Sequence, residues 1–157
     1  MPCKILNLAH FVAESNRIEG IVHEPTLAEM NAHSKLLSLE EITHRELEEF
    51  VRAIQPDAYL RINPGDDVCV GGYFPPAGHI SIKTRLEDIL QDMTQAKVDC
   101  NHKAIYELHH RYERLHPFMD GNGRSGRALW LWCHDGYAPL GFLHQWYYDT
   151  LRWGRYE

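Results

Sequence analysis

Residues 116–127 read His-Pro-Phe-Met-Asp-Gly-Asn-Gly-Arg-Ser-Gly-Arg, and this stretch predicts a turn that joins two helices. A helical pattern of apolar residues ends at Leu115, and Pro117 disfavours helical geometry in the residue before it, so His116 is expected at a helix end. Gly-Asn-Gly at 121–123 adopts left-handed backbone geometry at low cost. Such a turn points successive N–H groups inward as an anion nest, and a following helix adds its free N–H groups and positive dipole.

Charged side chains accompany the turn. Arg124 and Arg127 are three residues apart and project from one face of the following helix, where two guanidinium groups beside a nest suit two or more phosphates. Asp120 adds one carboxylate, which beside a polyphosphate is typical of Mg²⁺ held jointly by protein and phosphate oxygens. His116, with an unperturbed pKa near ~6.5, is suited to accept a proton. The alternative is an ordinary turn with surface arginines, but twelve residues rarely combine all these groups by accident.

Apolar residues recur at helical spacing along most of the chain, which predicts a mainly α fold in a single domain over 1–157. The first helix is expected over about 4–20, and the helix after the nest is expected to run from about Gly123 to Cys133, with Gly136 as its stop. Further helices are predicted after capping boxes at Thr26-x-x-Glu29, Ser38-x-x-Glu41 and Thr84-x-x-Glu87, over His102–Leu115, and over Gln145–Trp153.

The pattern changes between residues 59 and 82. Asn63-Pro-Gly-Asp66 is a strong turn signal. Apolar residues then alternate with a period of two on either side of a segment rich in glycine and proline, which predicts a small β-hairpin, or flap, over about 66–82. The alternating residues are Val68, Val70, Ile80 and Ile82.

Composition limits the partners. The formal net charge of −6 gives no general attraction to nucleic acid or to an anionic membrane, so neither is expected as a partner. Phosphate binding then requires a local cluster, and Arg111, Arg114, Arg124 and Arg127 provide one. No apolar run is long enough for a membrane helix. The four widely spaced cysteines indicate free thiols in a reducing compartment, and a cytoplasmic location is the default expectation.

Residues 116–127 resemble the motif of the Fic family of adenylyltransferases, H-x-F-x-D/E-G-N-G-R-x-x-R, at every specified position. The resemblance implies a compact Fic-type helical domain with a β-hairpin flap, ATP as co-substrate and Mg²⁺ as cofactor. It implies that AMP passes to a Tyr, Thr or Ser hydroxyl of a protein target. The implied roles are as follows: His116 is the general base, Asp120 binds Mg²⁺, Gly121, Asn122 and Gly123 cradle the α- and β-phosphates, Arg124 contacts the β-phosphate, and Arg127 contacts the γ-phosphate.

The resemblance also implies roles outside the motif. In the family the flap docks an extended target segment by strand pairing, and Val70, Gly71, Gly72, His79 and Ile80 are the residues that offer an edge here; a hairpin that merely covers the site is the alternative. A tyrosine lines the adenine pocket in relatives, which places Tyr147 or Tyr148 there, although aromatic residues at helical spacing are commonly core. Kinase-type relatives carry lysine in place of Gly123, so the glycine favours AMP transfer.

A second family motif, S/T-x-x-x-E-G/N, matches Ser15 to Gly20. In the family this motif forms an inhibitory helix whose glutamate, here Glu19, pairs with the second arginine of the phosphate loop, here Arg127. Independently, Leu8, Val12, Ser15 and Glu19 share one helical stripe, so the carboxylate is expected to face the body and to need a cationic partner. A solvated glutamate at a fraying helix end is the bland alternative.

The sequence therefore predicts an autoinhibited protein adenylyltransferase. Removal of AMP, transfer of another nucleotide such as UMP, and a catalytically silent nucleotide-binding module are the alternatives. The target protein, self-modification, the oligomeric state and the signal that relieves inhibition stay open.

Overall fold

A computed structural model describes residues 7–136 of the chain. The helices within that range are α1 (Leu8–Ile18), α2 (Leu27–Leu37), α3 (His44–Ile54), α4 (Ser81–Val98), α5 (His102–Leu115) and α6 (Asn122–Cys133). The only β-structure among these residues is two isolated bridges. The predicted mainly α fold is confirmed. The helix predicted over residues 145–153, and with it Tyr147 and Tyr148, lies outside the described residues.

Helix α6 forms the centre of the fold, because it contacts each of the other five helices. All of its residues except Gly123 are buried. A helix buried all round must be apolar all round, and its second half meets this requirement with the residues from Ala128 to Cys133. The one polar atom of Trp132 is satisfied, since its Nε1 donates to Leu39 O at 2.8 Å. The start of α6, where the predicted nest lies, is thereby fixed to the core.

Helix α2 starts as predicted, with a complete capping box between Thr26 and Glu29. The box predicted at Ser38 is wrong, since the Ser38 hydroxyl donates to Lys35 O at the end of α2. Helix α3 instead begins after a box formed by Thr43 and Glu46. Four apolar residues of α3 at the predicted spacing are buried: Leu47, Phe50, Val51 and Ile54.

The box predicted at Thr84 is also wrong, because α4 already begins at Ser81. Glu87 is used elsewhere: its Oε1 accepts from His44 N at 2.7 Å and so satisfies a free N–H at the start of α3. The local pattern could not show that the glutamate caps a neighbouring helix.

The flap is smaller than predicted. Val70 and Tyr73 form a single antiparallel bridge around the glycine pair at 71–72. Ile80 and Ile82 are not on a strand, because Ile82 lies in α4 and is fully buried in the core. Helical packing of this residue outweighs the short period-two pattern. The predicted turn at residues 63–66 is confirmed by a hydrogen bond from Asp66 N to Asn63 O.

Helix α5 has the predicted bounds, and α6 ends at Cys133, with Gly136 following in left-handed geometry at φ 75°. No helix among residues 7–136 is long and apolar enough to cross a membrane.

Candidate active site

His116 lies directly after the last residue of α5, in left-handed geometry with φ 50° and ψ 61°. Pro117 prevents the helix from continuing, as predicted. The next residue, Phe118, is buried and forms a β-bridge with Leu60. The backbone on both sides of the histidine is therefore anchored to the core, which fixes the place from which its side chain starts.

Arg61 holds this turn from inside, and sequence reasoning missed it. Its side chain is fully buried, yet none of its four hydrogen bonds goes to a carboxylate. Two of them satisfy carbonyl groups at the negative end of α5, from Nε to His116 O at 2.6 Å and from Nη2 to Leu115 O at 2.8 Å. Nη1 donates to Asp66 O and Pro76 O in the flap segment. A lone arginine between apolar residues gave no signal for this role.

The environment of His116 favours the neutral imidazole. Burial lowers the pKa of His116 below its ordinary value, and the charge of Arg61 lowers it further. The Glu113 carbonyl and the carboxylates of Glu19 and Asp120 act in the opposite direction without reversing the shift. A neutral ring can accept a proton, so His116 is competent as a general base near neutral pH.

The nest forms at the start of α6. Gly121 is its N-cap, with φ 81°, a left-handed value that favours glycine. Among residues 7–136 no acceptor binds the N–H groups of Asn122, Gly123 or Arg124, and no side chain caps the helix. Free N–H groups and the positive end of a helix dipole attract anions, so the start of α6 is a candidate anion site.

The side chain of Asn122 bonds within the loop and does not face the pocket's free N–H groups. Its amide is buried and bonds Phe118 twice, accepting from Phe118 N at 2.9 Å and donating to Phe118 O at 2.8 Å. Below it, the Ser125 hydroxyl lies 2.6 Å from the Tyr112 hydroxyl and 2.7 Å from Gly121 O. The side chain of Asn122 therefore braces the loop, and only its backbone is left for an anion.

Arg124 is held by the end of α3. Its guanidinium donates to Gln55 Oε1 at 2.9 Å and to Ile54 O at 3.3 Å, both uncharged acceptors. The side chain is buried but borders the pocket above the nest. Gln55, which lines the same pocket, is a second residue that sequence reasoning missed.

Asp120 lies on the exposed edge of the loop. One carboxylate oxygen accepts from Gly121 N at 2.7 Å, and the other has no hydrogen-bond partner among residues 7–136. The same residues contain no group of three or more candidate metal-ligating side chains. A single free carboxylate oxygen beside an anion site fits Mg²⁺ whose other ligands are phosphate oxygens and water, and it does not fit an all-protein metal site.

Arg127 is buried and bound by α1. Its Nε donates to Ser15 Oγ at 2.8 Å, and its Nη2 donates to Ser15 O at 3.0 Å and to Glu19 Oε1 at 2.7 Å. The Glu19 side chain is 40% exposed and lies directly over Gly123, so a side chain at position 123 would have to displace its carboxylate. The structure thus brings together Ser15, Glu19 and Arg127.

Asn16 anchors α1 and was also missed. Its amide donates to Glu29 Oε2 at 2.8 Å, and both residues are buried. Burial alone would raise the pKa of Glu29, but hydrogen bonds from Thr26 and Asn16 lower it below its usual value. The capping glutamate of α2 thus stays ionised and holds α1 in place.

These groups surround one pocket of about 330 Å³. His116, Asp120, Gly121, Gly123 and Arg124 line it, together with Asn122 and Glu19. The other two arginines of the predicted cluster, Arg111 and Arg114, do not reach this pocket and line a separate groove. The predicted flap residues Val70, Gly71, Gly72, His79 and Ile80 do not line it either. The pocket thus combines a loop with free N–H groups, an adjoining histidine, and Glu19, which directly follows α1.

Comparison with known proteins identifies the family to which this helical domain belongs. The chain matches the Fic/DOC family over residues 30–133. It is 32% identical over 133 residues to the "Protein adenylyltransferase Fic" of Aedes aegypti, covering 81% of this chain and 26% of that protein. The protein of the same name from Culex quinquefasciatus is 35% identical over 137 residues, with 81% and 26% covered, and that of Drosophila willistoni is 30% identical over 141 residues, with 82% and 26% covered.

The chain belongs to the Fic/DOC family. It spans about a quarter of the length of these curated relatives. No solved structure matches it.

Proposed function

We propose that this chain transfers AMP from ATP to a Tyr, Thr or Ser hydroxyl of a protein and that α1 inhibits the transfer. The observation that carries the proposal is the combination of three free N–H groups at the start of α6 with a neutral His116 around one pocket. The names of the curated relatives agree with this chemistry. Because the chain covers a quarter of their length, the activity itself is inferred from the site.

The proposed step uses the groups in the pocket. The free N–H groups of residues 122–124 bind phosphate oxygens, and Arg124 adds a positive charge. His116 takes the proton from the target hydroxyl through Nε2, since Nδ1 is buried. The hydroxyl oxygen bonds to the α-phosphorus, the bond between the α- and β-phosphates breaks, and pyrophosphate leaves. Mg²⁺, held by Asp120 and phosphate oxygens, would neutralise part of the phosphate charge.

The inhibition follows from the position of Glu19. Its carboxylate bonds the guanidinium of Arg127 and covers Gly123. A γ-phosphate can therefore bind Arg127 only if it displaces the Glu19 carboxylate. Position 123 is glycine, where the kinase-type relatives carry lysine, and this supports AMP transfer over kinase chemistry. Glu19 also lines the pocket, where a carboxylate could position water for the removal of AMP from a modified protein. The experiment must therefore distinguish AMP transfer from AMP removal.

The experiment uses ATP labelled at the α-phosphate or at the γ-phosphate, with Mg²⁺ and cell lysate. Wild type, Glu19→Gly and Glu19→Gly/His116→Ala are compared on a gel. We expect α-label on protein with Glu19→Gly, fainter label with wild type and none with the double variant. Transfer of γ-label would show kinase chemistry instead. If ATP binds and no label is transferred by any variant, AMP transfer is refuted, and loss of AMP from a labelled protein then tests the reverse reaction.

A further inference from the structure

The groove that Arg111 and Arg114 line is separate from the nucleotide pocket. It has a volume of about 510 Å³ and lies between α4, α5 and the flap segment. Its base is apolar, formed by the buried residues Ile89 and Leu115. Tyr73 and Pro76 form its flap side. Nothing in the proposed chemistry uses this groove.

Three exposed arginines border the groove, which is unusual in a chain with a net charge of −6. Arg111 is paired with Asp92 at 3.2 Å. Arg85 and Arg114 form no ion pair with any residue of 7–136, and the Arg114 guanidinium lies over the ring of Tyr73, 5.9 Å from its centre. Two unpaired guanidinium groups above an apolar base can bind carboxylates, and the base can bind apolar side chains between them.

The groove is rigidly connected to the catalytic turn. Leu115 lines the groove, and His116 is the next residue in the chain. From inside, Arg61 bonds both the Leu115 carbonyl at the base and the Pro76 carbonyl on the flap side. On the outside, the Tyr73 hydroxyl donates to Arg114 O at 3.0 Å. A chain bound in the groove would therefore lie close to His116 in a fixed position.

We infer that this groove binds an acidic, partly apolar segment of the protein substrate and thereby selects the target. The inference rests on the proposed function and deepens it. A nucleic acid fits less well, because the carboxylates of Asp88 and Asp92 lie among the arginines. An unbroken row of phosphates would meet these carboxylates, whereas a peptide with spaced glutamates avoids them.

The test measures binding without ATP, so it does not depend on AMP transfer. The probe is a short fluorescein-labelled peptide in which glutamates alternate with serine and leucine, and the control peptide has glutamine for each glutamate. Fluorescence anisotropy is recorded for wild type, for Arg85→Glu/Arg114→Glu, and for Arg45→Glu/Lys103→Glu. The last variant makes the same charge change at exposed residues that do not line the groove.

We expect the acidic peptide to bind wild type and the Arg45→Glu/Lys103→Glu variant alike. We expect about tenfold or greater weakening in Arg85→Glu/Arg114→Glu and much weaker binding of the glutamine peptide. The Tyr73 hydrogen bond goes to the backbone of Arg114, so it survives the substitution. If the double variant has a lowered Tm, Arg85→Gln is used instead, and a smaller loss of affinity for the acidic peptide is expected.

Equal weakening in both charge-reversed variants, or equal binding of the two peptides, would overturn the inference. So would an oligonucleotide that competes for the same arginines and binds more tightly than the acidic peptide. In the Glu19→Gly background, Arg85→Gln should raise the KM for the acidic peptide and leave kcat unchanged. Labelling by α-labelled ATP together with failed peptide binding would refute the groove and leave the proposed function standing.

Discussion

Arg124 and Arg127 are one helical turn apart, but their surroundings differ in charge. Arg124 is held by α3 through the Ile54 carbonyl and the Gln55 amide, both neutral acceptors. Arg127 is held by α1 through Ser15 and the Glu19 carboxylate. Among residues 7–136 no carboxylate pairs with Arg124, so a phosphate that approaches it meets an uncompensated cation, whereas one that approaches Arg127 meets a cation already paired with Glu19.

This difference separates the parts of the site by function. The nest, His116 and Arg124 are held by contacts of α3, α5 and α6 and form no hydrogen bond with α1. Arg127 is bonded by Ser15 of α1 and by Glu19, and α1 is tied to α2 by the Asn16–Glu29 hydrogen bond and by packing of Phe11 against His33. We therefore expect substitutions in α1 to relieve the competition for Arg127, and substitutions around His116 and Arg124 to lower the rate of transfer or the affinity for ATP.

The largest effect is expected from removal of the base. In the Glu19→Gly background, His116→Ala should lower the rate of AMP transfer by roughly 10²–10⁴-fold, since general-base catalysis typically contributes that much. ATP affinity should stay the same, because His116 contacts no phosphate in the proposed complex. Single-turnover labelling and calorimetric titration measure the two quantities. A parallel loss of affinity would show that the base and the binding groups are not separable.

Removal of the Glu19 carboxylate has the next largest effect. Glu19→Gly should raise the rate of AMP transfer by roughly 5–150-fold, the range of a coupling of about 1–3 kcal/mol. The control is Glu24→Gly, at an exposed glutamate between α1 and α2, and its rate should equal that of wild type. A Glu19→Gly variant that folds normally and is no faster than wild type would contradict the inhibitory role of α1.

Loosening α1 without touching Arg127 gives a third test. Asn16→Ala should lower the free energy of unfolding by roughly 1–3 kcal/mol, because it removes a partner from a buried carboxylate. It should also raise the rate of AMP transfer, although less than Glu19→Gly does. Urea unfolding and labelling measure these effects, with the exposed Asn31→Ala as control. Lost stability without any gain in rate would show that α1 can loosen and still cover Arg127.

Gln55→Ala tests the surroundings of Arg124 and should weaken ATP binding, whereas Glu19→Gly should strengthen it. It removes one neutral hydrogen bond that positions Arg124, worth roughly 0.5–1.5 kcal/mol, so ATP affinity should fall by a few-fold. Calorimetric titration in the Glu19→Gly background gives the change directly. Tighter ATP binding would mean that Gln55 competes with phosphate in the way that Glu19 is proposed to do.

The pH dependence should show the smallest effect. The proposed step requires neutral His116, whose pKa lies below its ordinary value, so the rate should persist as pH falls below about 6.5 and be lost only at lower pH. Glu19 raises this pKa, so Glu19→Gly should move the acid limb of the rate profile slightly further toward low pH. A wild-type midpoint at or above 6.5 would contradict the proposed environment of the base.

The parts of the fold and site that could be predicted depend on local chemistry. The end of α5 at His116 follows from Pro117, and the nest follows from the glycines, because each needs only neighbouring residues. The pairing of Glu19 with Arg127 was predicted from a family motif, and the structure places the two groups 2.7 Å apart.

The remaining features depend on contacts between distant segments. Arg61 is separated from Leu115 and His116 by more than fifty residues, and its apolar neighbours resemble an ordinary core strand. Glu87 caps a helix other than its own. Ile82 alternates with Ile80 as a strand would, but it is buried in α4. A local sequence pattern cannot indicate contacts with residues so far away in the chain.

The most direct test of the contrast between the two arginines compares ATP with ADP, which lacks the γ-phosphate proposed to bind Arg127. Dissociation constants for both nucleotides would be measured with Mg²⁺ for wild type, Glu19→Gly and Glu24→Gly. We expect Glu19→Gly to tighten ATP binding more than ADP binding, and Glu24→Gly to change neither. Equal tightening of both nucleotides, or no change in either, would contradict the claim that Glu19 and the γ-phosphate compete for Arg127.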